Sequence, residues 1–244
     1  MRRFKSDALP ALFVGVLVFA SQSFVPVSAA AQIKFVVTVD YPLGQKTTYL
    51  GWVKTVVSTL QAPQQIKSVA SYDNYFGTWP HRFIEFEFNS MSLAADYFEL
   101  AEVRKVFEDV VNHGINITVS AMKLREDYKK QVGKPAAEGS IKYVFFVDYP
   151  LGEKTEYLEW VKSLVPVLQA PEEVKRIAAY DSYFGATPQR CVEFEFDDFE
   201  AASTYWAYPE VKRIFKDLVN HGVNTRFSVL ELRGDYTKRA AEQR

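Results

Sequence analysis

The sequence predicts an α+β protein built from two tandem copies of one module. Residues 33–128 align without a gap with residues 141–236, at a constant offset of 108 residues, and about half of the paired positions are identical. Both copies show the same order of strand-like and helix-like patterns. In the third strand of each copy, apolar and acidic residues alternate. Together these observations predict two β-α-β-β-α-β modules that bury one face of each sheet against the other module.

The first half of each copy is predicted to form a strand, a helix and a strand. In the first copy, alternating β-branched and aromatic residues at 33–39 indicate the first strand. Pro42 is typical of a first helical turn, and apolar residues at helical spacing extend that helix to Pro63. We expect the second strand at residues 66–72.

The second half is predicted to form a strand, a helix and a strand. A turn-rich stretch leads to a third strand at 82–88. The next helix is expected at 92–113, where Gly114 ends it, and the fourth strand at 115–124. In the second copy, Pro209 is expected to break the second helix into two pieces.

This order of elements is the ferredoxin-like split βαβ arrangement, in which both helices cover one face of an antiparallel sheet. Alternation directs Ile84, Phe86 and Phe88 toward the helices and the two glutamates between them toward the bare face. Two bare faces packed together would cover each other. The sequence therefore predicts two ferredoxin-like modules packed sheet to sheet as an intrachain pseudo-dimeric α/β barrel.

The N-terminus has the pattern of a secretory signal peptide. A basic start is followed by an apolar run at residues 8–20 and by the small residues 28–31. We expect cleavage ahead of Gln32 and an exported protein, periplasmic or secreted; the alternative is a segment retained as a membrane anchor. The predicted organisation is a signal peptide at 1–31, a first module at 32–128, a linker at 129–140, a second module at 141–238 and a polar tail at 239–244.

Composition limits the partners that we expect. The formal net charge is −1 and no basic run is present, so we expect no nucleic-acid partner. Cys191 is the only cysteine, which rules out an internal disulfide. No second apolar stretch is long enough to cross a bilayer, so we expect no stable membrane insertion after signal cleavage. A monomer with internal pseudo-symmetry and a higher homo-oligomer both remain open.

Modules that pair through their sheets resemble the dimeric α/β-barrel superfamily. This group includes the stress-responsive Dabb proteins, the antibiotic-biosynthesis monooxygenases, the NIPSNAP and EthD groups and the haem-binding chlorite dismutases. The segment from Tyr205 to Val211 resembles their aromatic-x-x-His-Pro-x-His stretch, with Tyr208 and Val211 at positions where histidines are common. The resemblance implies a barrel fold and, as candidate activities, monooxygenase-like or haem-dependent chemistry.

Polar side chains on the bare sheet face form the first candidate site. Carboxylates on a covered sheet face are costly to bury unless they are paired. By the two-residue period of a strand, the lysines of each first strand and the asparagines of each last strand lie on the same face as these carboxylates. Arranged around the inside of a barrel, these carboxylates, lysines and asparagines could bind a polar ligand or act as acid and base. The alternative is a set of structural ion pairs. The predicted ligand-binding residues are Glu85, Glu87, Glu193, Glu195, Lys34, Lys142, Asn116 and Asn224.

Two histidines form a second candidate, because His113 and His221 occupy the same position of both copies. The resemblance implies haem as a cofactor that one of them would ligate. The alternative is an ordinary helix end, where a histidine interacts favourably with the helix dipole. No cofactor is predicted from the residues themselves, and no metal site is predicted, because no second histidine or cysteine has ligand spacing.

Three further features have a structural and a functional interpretation. Asp40 and its equivalent Asp148 fit helix caps better than ligand contacts. The aromatic stretch at 72–77, repeated at 180–185, suits a lid or a partner surface, although turn geometry also explains it. Cys191 fits a small core residue better than a nucleophile.

The sequence thus favours an exported protein that binds a small molecule within or at the mouth of its barrel, and it leans away from an enzyme. A monooxygenase-like or haem-dependent enzyme and a structural or assembly protein are the alternatives. The identity of the ligand does not follow from the sequence.

Overall fold

The computed structural model describes residues 32–129 and 136–236. The predicted signal peptide, residues 130–135 of the linker and the predicted polar tail lie outside the described residues. Both copies have the predicted order of elements. In module 1 these are β1 (Ile33–Asp40), α1 (Lys46–Gln61), β2 (Ser68–Asn74), β3 (Arg82–Phe88), α2 (Met91–Phe98), α3 (Ala101–Asp109), a short 3-10 helix (Val110–Asn112) and β4 (Ile115–Lys129).

Module 2 repeats this order with one unbroken helix in place of α3 and the 3-10 turn. Its elements are β5 (Ile141–Asp148), α4 (Lys154–Gln169), β6 (Arg176–Ser182), β7 (Arg190–Phe196), α5 (Phe199–Ala207), α6 (Pro209–His221) and β8 (Val223–Asp235). Pro209 breaks the second helix of this copy as predicted.

Three local predictions were wrong. Helix α1 begins at Lys46, because Pro42 instead starts a turn in which Gln45 N–H donates to the Pro42 carbonyl. The second helix of module 1 is also broken, although it contains no proline; Leu100 has an extended backbone between α2 and α3. Strand β4 continues to Lys129, because its second half pairs with β6 of the other module.

The eight strands form one closed antiparallel barrel in the order β1-β3-β2-β8-β5-β7-β6-β4. Two of its pairings, β2 with β8 and β4 with β6, join the modules. The predicted packing of the two sheets is therefore confirmed, and closure leaves neither sheet with an unpaired edge.

The pseudo-twofold axis runs along the barrel. Every neighbouring pair is antiparallel, and β1 and β5 lie four steps apart around the barrel, so the two strands run in the same direction. We call the end at which β1 and β5 finish the mouth, and the opposite end the base. Equivalent loops of the two modules consequently lie at the same end.

Three apolar clusters stabilise the fold. Two lie between the helices and the outer sheet face of each module, and include Phe86 and Phe88 in module 1 and Phe194 and Phe196 in module 2. The third fills the barrel interior. The alternation predicted for β3 and β7 is thus confirmed. Among the described residues, no helix has the length and apolar character needed to cross a membrane.

Close packing explains the glycine that follows each second helix. A Cβ on Gly114 would lie 2.5 Å from the Val39 side chain, and one on Gly222 would lie 2.5 Å from Val147. Neither glycine has a positive φ, so contact between the helix end and the first strand requires them.

Candidate functional site

A cluster of four buried charges occupies the centre of the barrel. Lys34 Nζ lies 3.1 Å from Glu85 Oε2 and 2.8 Å from Glu193 Oε2. Lys142 Nζ lies 2.8 Å from Glu85 Oε2 and 3.2 Å from Glu193 Oε2. All four side chains are at least 95% buried. Each lysine thus bridges glutamates of both modules, and we call these four residues the charge square.

Aromatic rings cover the charge square from two sides. The Lys34 ammonium lies 4.4 Å from the centre of the Tyr180 ring, and the Lys142 ammonium lies 4.5 Å from that of Tyr72. The square is electrically neutral, and every charged group in it has opposite charges within reach. It therefore has the properties of a structural network.

The two glutamates of the square differ in pKa. Burial raises the pKa of Glu85, and the nearby charge of Glu193 raises it further. At Glu193, burial opposes ionisation, but Lys142 and Lys34 outweigh it and lower the pKa to about 2. The pKa values of both lysines are raised well above their usual value, because the two glutamates outweigh the effect of burial. The fold therefore retains the ammonium groups in their charged form.

The other two predicted glutamates lie one step nearer the base. Glu87 lies 3.9 Å from Lys34 Nζ and accepts a hydrogen bond from the Ser68 hydroxyl. Glu195 accepts one from Arg176 at 3.0 Å. Both line a polar cavity of about 160 Å³ at the base. The predicted orientation of all four glutamates toward the space between the sheets is therefore observed.

The two predicted asparagines do not join this group. Asn116 donates to Asp40 at the mouth, and Asn224 donates to Asp148 in the same way. Both asparagines have φ near +50°, a conformation that asparagine tolerates better than most residues. Asp40 also accepts the backbone N–H of His81. The interpretation of Asp40 and Asp148 as helix caps was therefore wrong: each ties the end of its first strand to two neighbouring segments.

The two repeated histidines lie in the outer helical layer. His113 stacks on Trp52, with ring centroids 4.6 Å apart, and its Nε2 lies 3.2 Å from an oxygen of Asp109. His221 stacks on Trp160 at 4.1 Å. Neither imidazole lines the base cavity, the mouth cavity described below or the cavity of about 60 Å³ between the helices and sheet of module 1. An axial haem ligand needs a ring nitrogen that faces a space large enough for a porphyrin, so these histidines do not fit that role.

The single cysteine is a core residue. Cys191 is buried in the barrel interior, and burial together with the charge of Glu193 raises the pKa of its thiol well above the usual value. Such a thiol is a poor nucleophile at neutral pH. Within residues 32–129 and 136–236, no group of three or more His, Cys, Asp and Glu side chains has an arrangement that could hold a metal ion.

A second cavity, of about 240 Å³, opens at the mouth. None of the predicted site residues lines it. Its walls combine aromatic rings, hydroxyl groups and one guanidinium, contributed by Val36, Thr38, Trp79, Pro80, Phe83, Thr118, Ser120, Phe146, Pro188, Arg226, Phe227 and Ser228. Sequence reasoning missed these residues, because they are spread over most of the chain and only closure of the barrel brings them together.

The two modules contribute partly unlike residues to this mouth cavity; Pro80 with Pro188 and Ser120 with Ser228 are identical pairs, and the other lining positions except Val36 differ between the copies. Applying the repeat offset, Arg226 is equivalent to Thr118, Phe146 to Thr38 and Phe83 to Cys191. Trp79 is equivalent to Thr187. By contrast, the charge square is identical in both modules. A sequence signal was therefore present: the positions at which the two copies differ chemically include the lining of the cavity.

Comparison with known proteins supports the fold. No protein-family model matches the sequence, and no curated protein matches it. A proposed monooxygenase from Fusobacterium nucleatum has a similar structure, with a TM-score of 0.68 and 10% sequence identity over 86% of this chain and 95% of that chain. An anthrone oxidase-like protein matches with a TM-score of 0.65 and 9% identity, over 85% of this chain and 93% of that one. A proposed chlorite dismutase matches with a TM-score of 0.60 and 12% identity, over 84% and 96%.

This chain has the dimeric α/β-barrel fold, as the sequence pattern indicated. Here the fold is formed within one chain by tandem duplication. At identities near 10%, the similarity establishes the arrangement of the chain and leaves its chemistry to be argued from its own residues.

Proposed function

We propose that this protein is an exported binding protein that holds a small anionic aromatic molecule in the mouth cavity. The observation that carries the proposal is the asymmetry of that cavity. An anion-binding guanidinium and several aromatic rings replace the smaller, uncharged residues found at the equivalent positions of the other copy. Pockets that bind small molecules combine an apolar lining with a few polar groups that orient the ligand.

Arg226 supplies the polar group. Its guanidinium lies 5.6 Å from the centre of the Phe146 ring. No carboxylate within the described part of the chain forms an ion pair with it. An arginine held beside an aromatic ring and left without a counter-ion suits a carboxylate or another planar anion. Trp79, Phe83 and Phe146 offer ring faces to the body of such a ligand.

The charge square is a weaker candidate for the site, because its four charged groups already compensate one another and are buried. Glu85 and Lys142 also line the base cavity, but a ligand that bound to either group would compete with the partner already paired with it, which is costly. The proposal therefore assigns binding to the mouth and structural support to the centre.

The central test is a binding series. Benzoate, phenylacetate and indole-3-acetate would be titrated into the purified protein by calorimetry. At least one should bind, and Arg226→Thr should weaken its binding at least tenfold, because the ligand loses its cationic partner. Threonine is the residue that the fold accepts at the equivalent position of module 1. Arg213→Thr, on the exposed surface of α6, is the matched control and should leave binding unchanged.

A second pair of variants separates the mouth from the centre. Glu85→Gln and Glu87→Gln should lower the free energy of unfolding and leave ligand affinity unchanged. Loss of binding in these variants, with the stability retained, would move the site to the charge square and contradict the proposal.

The competing function is a monooxygenase-like or haem-dependent enzyme, and it rests on the fold shared with the proposed monooxygenase and chlorite dismutase. The absorption spectrum of protein purified from its own host distinguishes the two, because bound haem produces a strong Soret band. A structural or assembly role would leave the protein without any small ligand in the calorimetric series.

Export is the part of the proposal that rests on residues 1–31. N-terminal sequencing of the protein recovered outside the cytoplasm should begin near Gln32. Recovery of a chain that still begins at Met1 would contradict cleavage.

A further inference from the structure

Six segments surround the mouth, three from each module. They are the connections that follow β1, β2 and α3 in module 1 and their equivalents in module 2: residues 41–45, 75–81, 110–116, 149–153, 183–189 and 218–224. All six lie at one end, because β1 and β5 both finish there and the pseudo-twofold axis runs along the barrel. We call these segments the mouth rim.

The mouth rim is almost free of charge. It contains no lysine, arginine or aspartate, and its only glutamate is Glu153. The base turns of module 2 are more charged: residues 170–175 and 197–198 contain Glu172, Glu173, Lys175, Asp197 and Asp198, whereas the equivalent residues 62–67 and 89–90 of module 1 contain only Lys67. In module 2, therefore, the turns at the mouth carry fewer charges than those at the base.

The mouth rim also exposes most of the apolar surface side chains. Of the fourteen large hydrophobic residues that are exposed in the described part of the chain, eleven lie in the mouth rim. They occur as equivalent pairs: Leu43 and Leu151 are each 102% exposed, and Phe76 and Phe184 are 63% and 73% exposed. Trp79 adds a half-exposed indole. Clusters of exposed apolar residues of this kind are typical of interaction surfaces.

We propose that the mouth rim docks onto the surface of a lipid bilayer, with the barrel axis along the membrane normal. The pseudo-twofold axis then lies along the membrane normal. Equivalent exposed residues such as Leu43 and Leu151 therefore reach the same depth in the bilayer, and both modules can insert together. Exposed aromatic and aliphatic side chains suit the boundary between headgroups and acyl chains, and the two lysines beside the rim, Lys46 and Lys154, have long side chains that can extend to the headgroups. Because the mouth rim lacks basic residues, binding should not require anionic lipids.

A bilayer explains the shape of this surface better than a second copy of the chain. Leu43 and Leu151 stand on turns with their side chains fully exposed, so they protrude singly and do not form a flat patch. A protein partner needs a matching recess for each tip, and two copies placed mouth to mouth would bring protruding tips against protruding tips. Lipid acyl chains accommodate each tip separately.

If the N-terminal segment, and not the mouth rim, contacted the membrane, the base of the barrel would face the lipid. Strand β1 starts at the base, so the residues that precede Gln32 join the barrel at the end opposite the mouth rim. Docking through the mouth rim and tethering through residues 1–31 therefore place different ends of the barrel against the lipid. The inference does not depend on whether the mouth cavity binds a ligand.

The experiment uses the full chain and vesicles of phosphatidylcholine, with and without bromine atoms on the acyl chains. Bromine quenches tryptophan fluorescence only at close range. Trp79 is the sole tryptophan of the mouth rim and is half-exposed; Trp52, Trp160 and Trp206 belong to the helical layer and are less exposed, although Trp52 and Trp160 stack on the rim residues His113 and His221. We expect brominated vesicles to quench the fluorescence, and we expect Trp79→Phe to abolish most of that quenching.

The double variant Leu43→Ser with Leu151→Ser should reduce the fraction of protein that sediments with vesicles at least tenfold. Its melting temperature should stay unchanged, because both side chains are already fully exposed. The control is Tyr208→Ser, which removes an exposed aromatic residue outside the mouth rim and should bind as the unaltered protein does.

Three results would overturn the inference. One is the absence of vesicle binding by the unaltered protein. Another is binding that persists in the double variant without quenching of Trp79, which would assign the contact to the N-terminal segment. The third is a mouth-to-mouth dimer, seen by analytical ultracentrifugation, that dissociates in the double variant while no form binds lipid.

Discussion

The two modules share one fold and one central charge network, and two of the differences between them bear on the candidate site and on the packing. In the barrel interior, Lys34 and Glu85 of module 1 match Lys142 and Glu193 of module 2 in identity and in contacts. At the mouth, the equivalent positions carry different chemistry, as with Thr118 and Arg226. The charge square, which both modules share, joins the modules, whereas residues that differ between them contribute to the candidate site. This division is expected when one copy of a duplicated module is free to change.

The second difference lies between the helices and the sheet. A cavity of about 60 Å³ in module 1 is lined by several valines where module 2 carries larger residues. The equivalent pairs are Val37 and Phe145, Val56 and Leu164, Val69 and Ile177, Val106 and Ile214, and Val110 and Leu218. In module 2, Phe145 stacks on Phe215 with ring centroids 4.7 Å apart. Module 1 is therefore the less tightly packed of the two.

The largest effect is expected from separating the modules. A fragment of residues 32–130 should form a homodimer, because its strands β2 and β4 lose their partners in β8 and β6. Two copies of Lys34 and Glu85 would then rebuild the charge square. Analytical ultracentrifugation should show a dimer, and its melting temperature should rise with concentration.

The variant Lys34→Glu of the same fragment sharpens this test, since it would bring four carboxylates together and should prevent dimer formation. A stable monomeric fragment that unfolds cooperatively would show that the modules do not need each other.

The next effect concerns the charge square itself. Replacing Glu193 by alanine leaves the two buried lysines with Glu85 as their only close counter-ion, since Glu87 and Glu195 are 3.9 Å away, and should destabilise the protein by about 3–5 kcal/mol. Glu85→Ala should cost less, because burial and the charge of Glu193 raise the pKa of Glu85 and make its ionised form less favourable in the fold. Urea denaturation measures both values.

A fourfold variant provides the comparison. Replacing Lys34 and Lys142 by methionine and both glutamates by leucine removes the four charges of the square at once, while Glu87 and Glu195 keep Lys67 and Arg176 as partners, so the variant should be close to neutral or stabilising. If the fourfold variant were as unstable as Glu193→Ala, the four residues would stabilise the fold by more than the pairing of their own charges.

A smaller effect should distinguish the two glutamates by pH. The pKa of Glu193 in the fold, about 2, lies below its usual 4.5, so its stabilising contribution is present above pH 4.5 and is lost as the pH falls toward 2. The pKa of Glu85 is raised, so its contribution has the opposite sign and is lost as the pH rises through the folded-state value.

We therefore expect Glu193→Gln to flatten the loss of stability between pH 4.5 and pH 2. Glu85→Gln should leave that loss in place. Unfolding free energies measured across this pH range would contradict the assignment if the two variants behaved alike.

The smallest effect should come from the packing difference. Val56→Leu and Val106→Ile introduce the residues of module 2 into the cavity of module 1, and together they should stabilise the protein by about 1 kcal/mol. The reverse changes, Leu164→Val and Ile214→Val, should each destabilise it by about 1 kcal/mol. Thermal unfolding compares the two sets, and a loss of stability in the filled variant would show that the valines are already well packed.

Local patterns predicted the parts of the site that depend on one strand at a time. The orientation of Glu85 and Glu87 followed from the two-residue period of β3, which neighbouring elements do not alter. The same reasoning failed for Asp40. Its local sequence resembles a helix cap, but its carboxylate accepts hydrogen bonds from His81 and Asn116, which lie 41 and 76 positions away. The break at Leu100 was missed because no proline or glycine marks it.

By itself, the sequence determined that the chain contains two equivalent modules, which residues of each strand share a face, and that carboxylates and lysines meet between the sheets. These properties depend on spacing along the chain, and the geometry of helices and strands converts that spacing directly into direction. The tertiary structure decided that the sheets close into one barrel, that Lys34 contacts a glutamate 159 positions away, and that a partly asymmetric cavity opens at the mouth. Those properties arise from contacts between distant segments, which form only when every strand has found its partner.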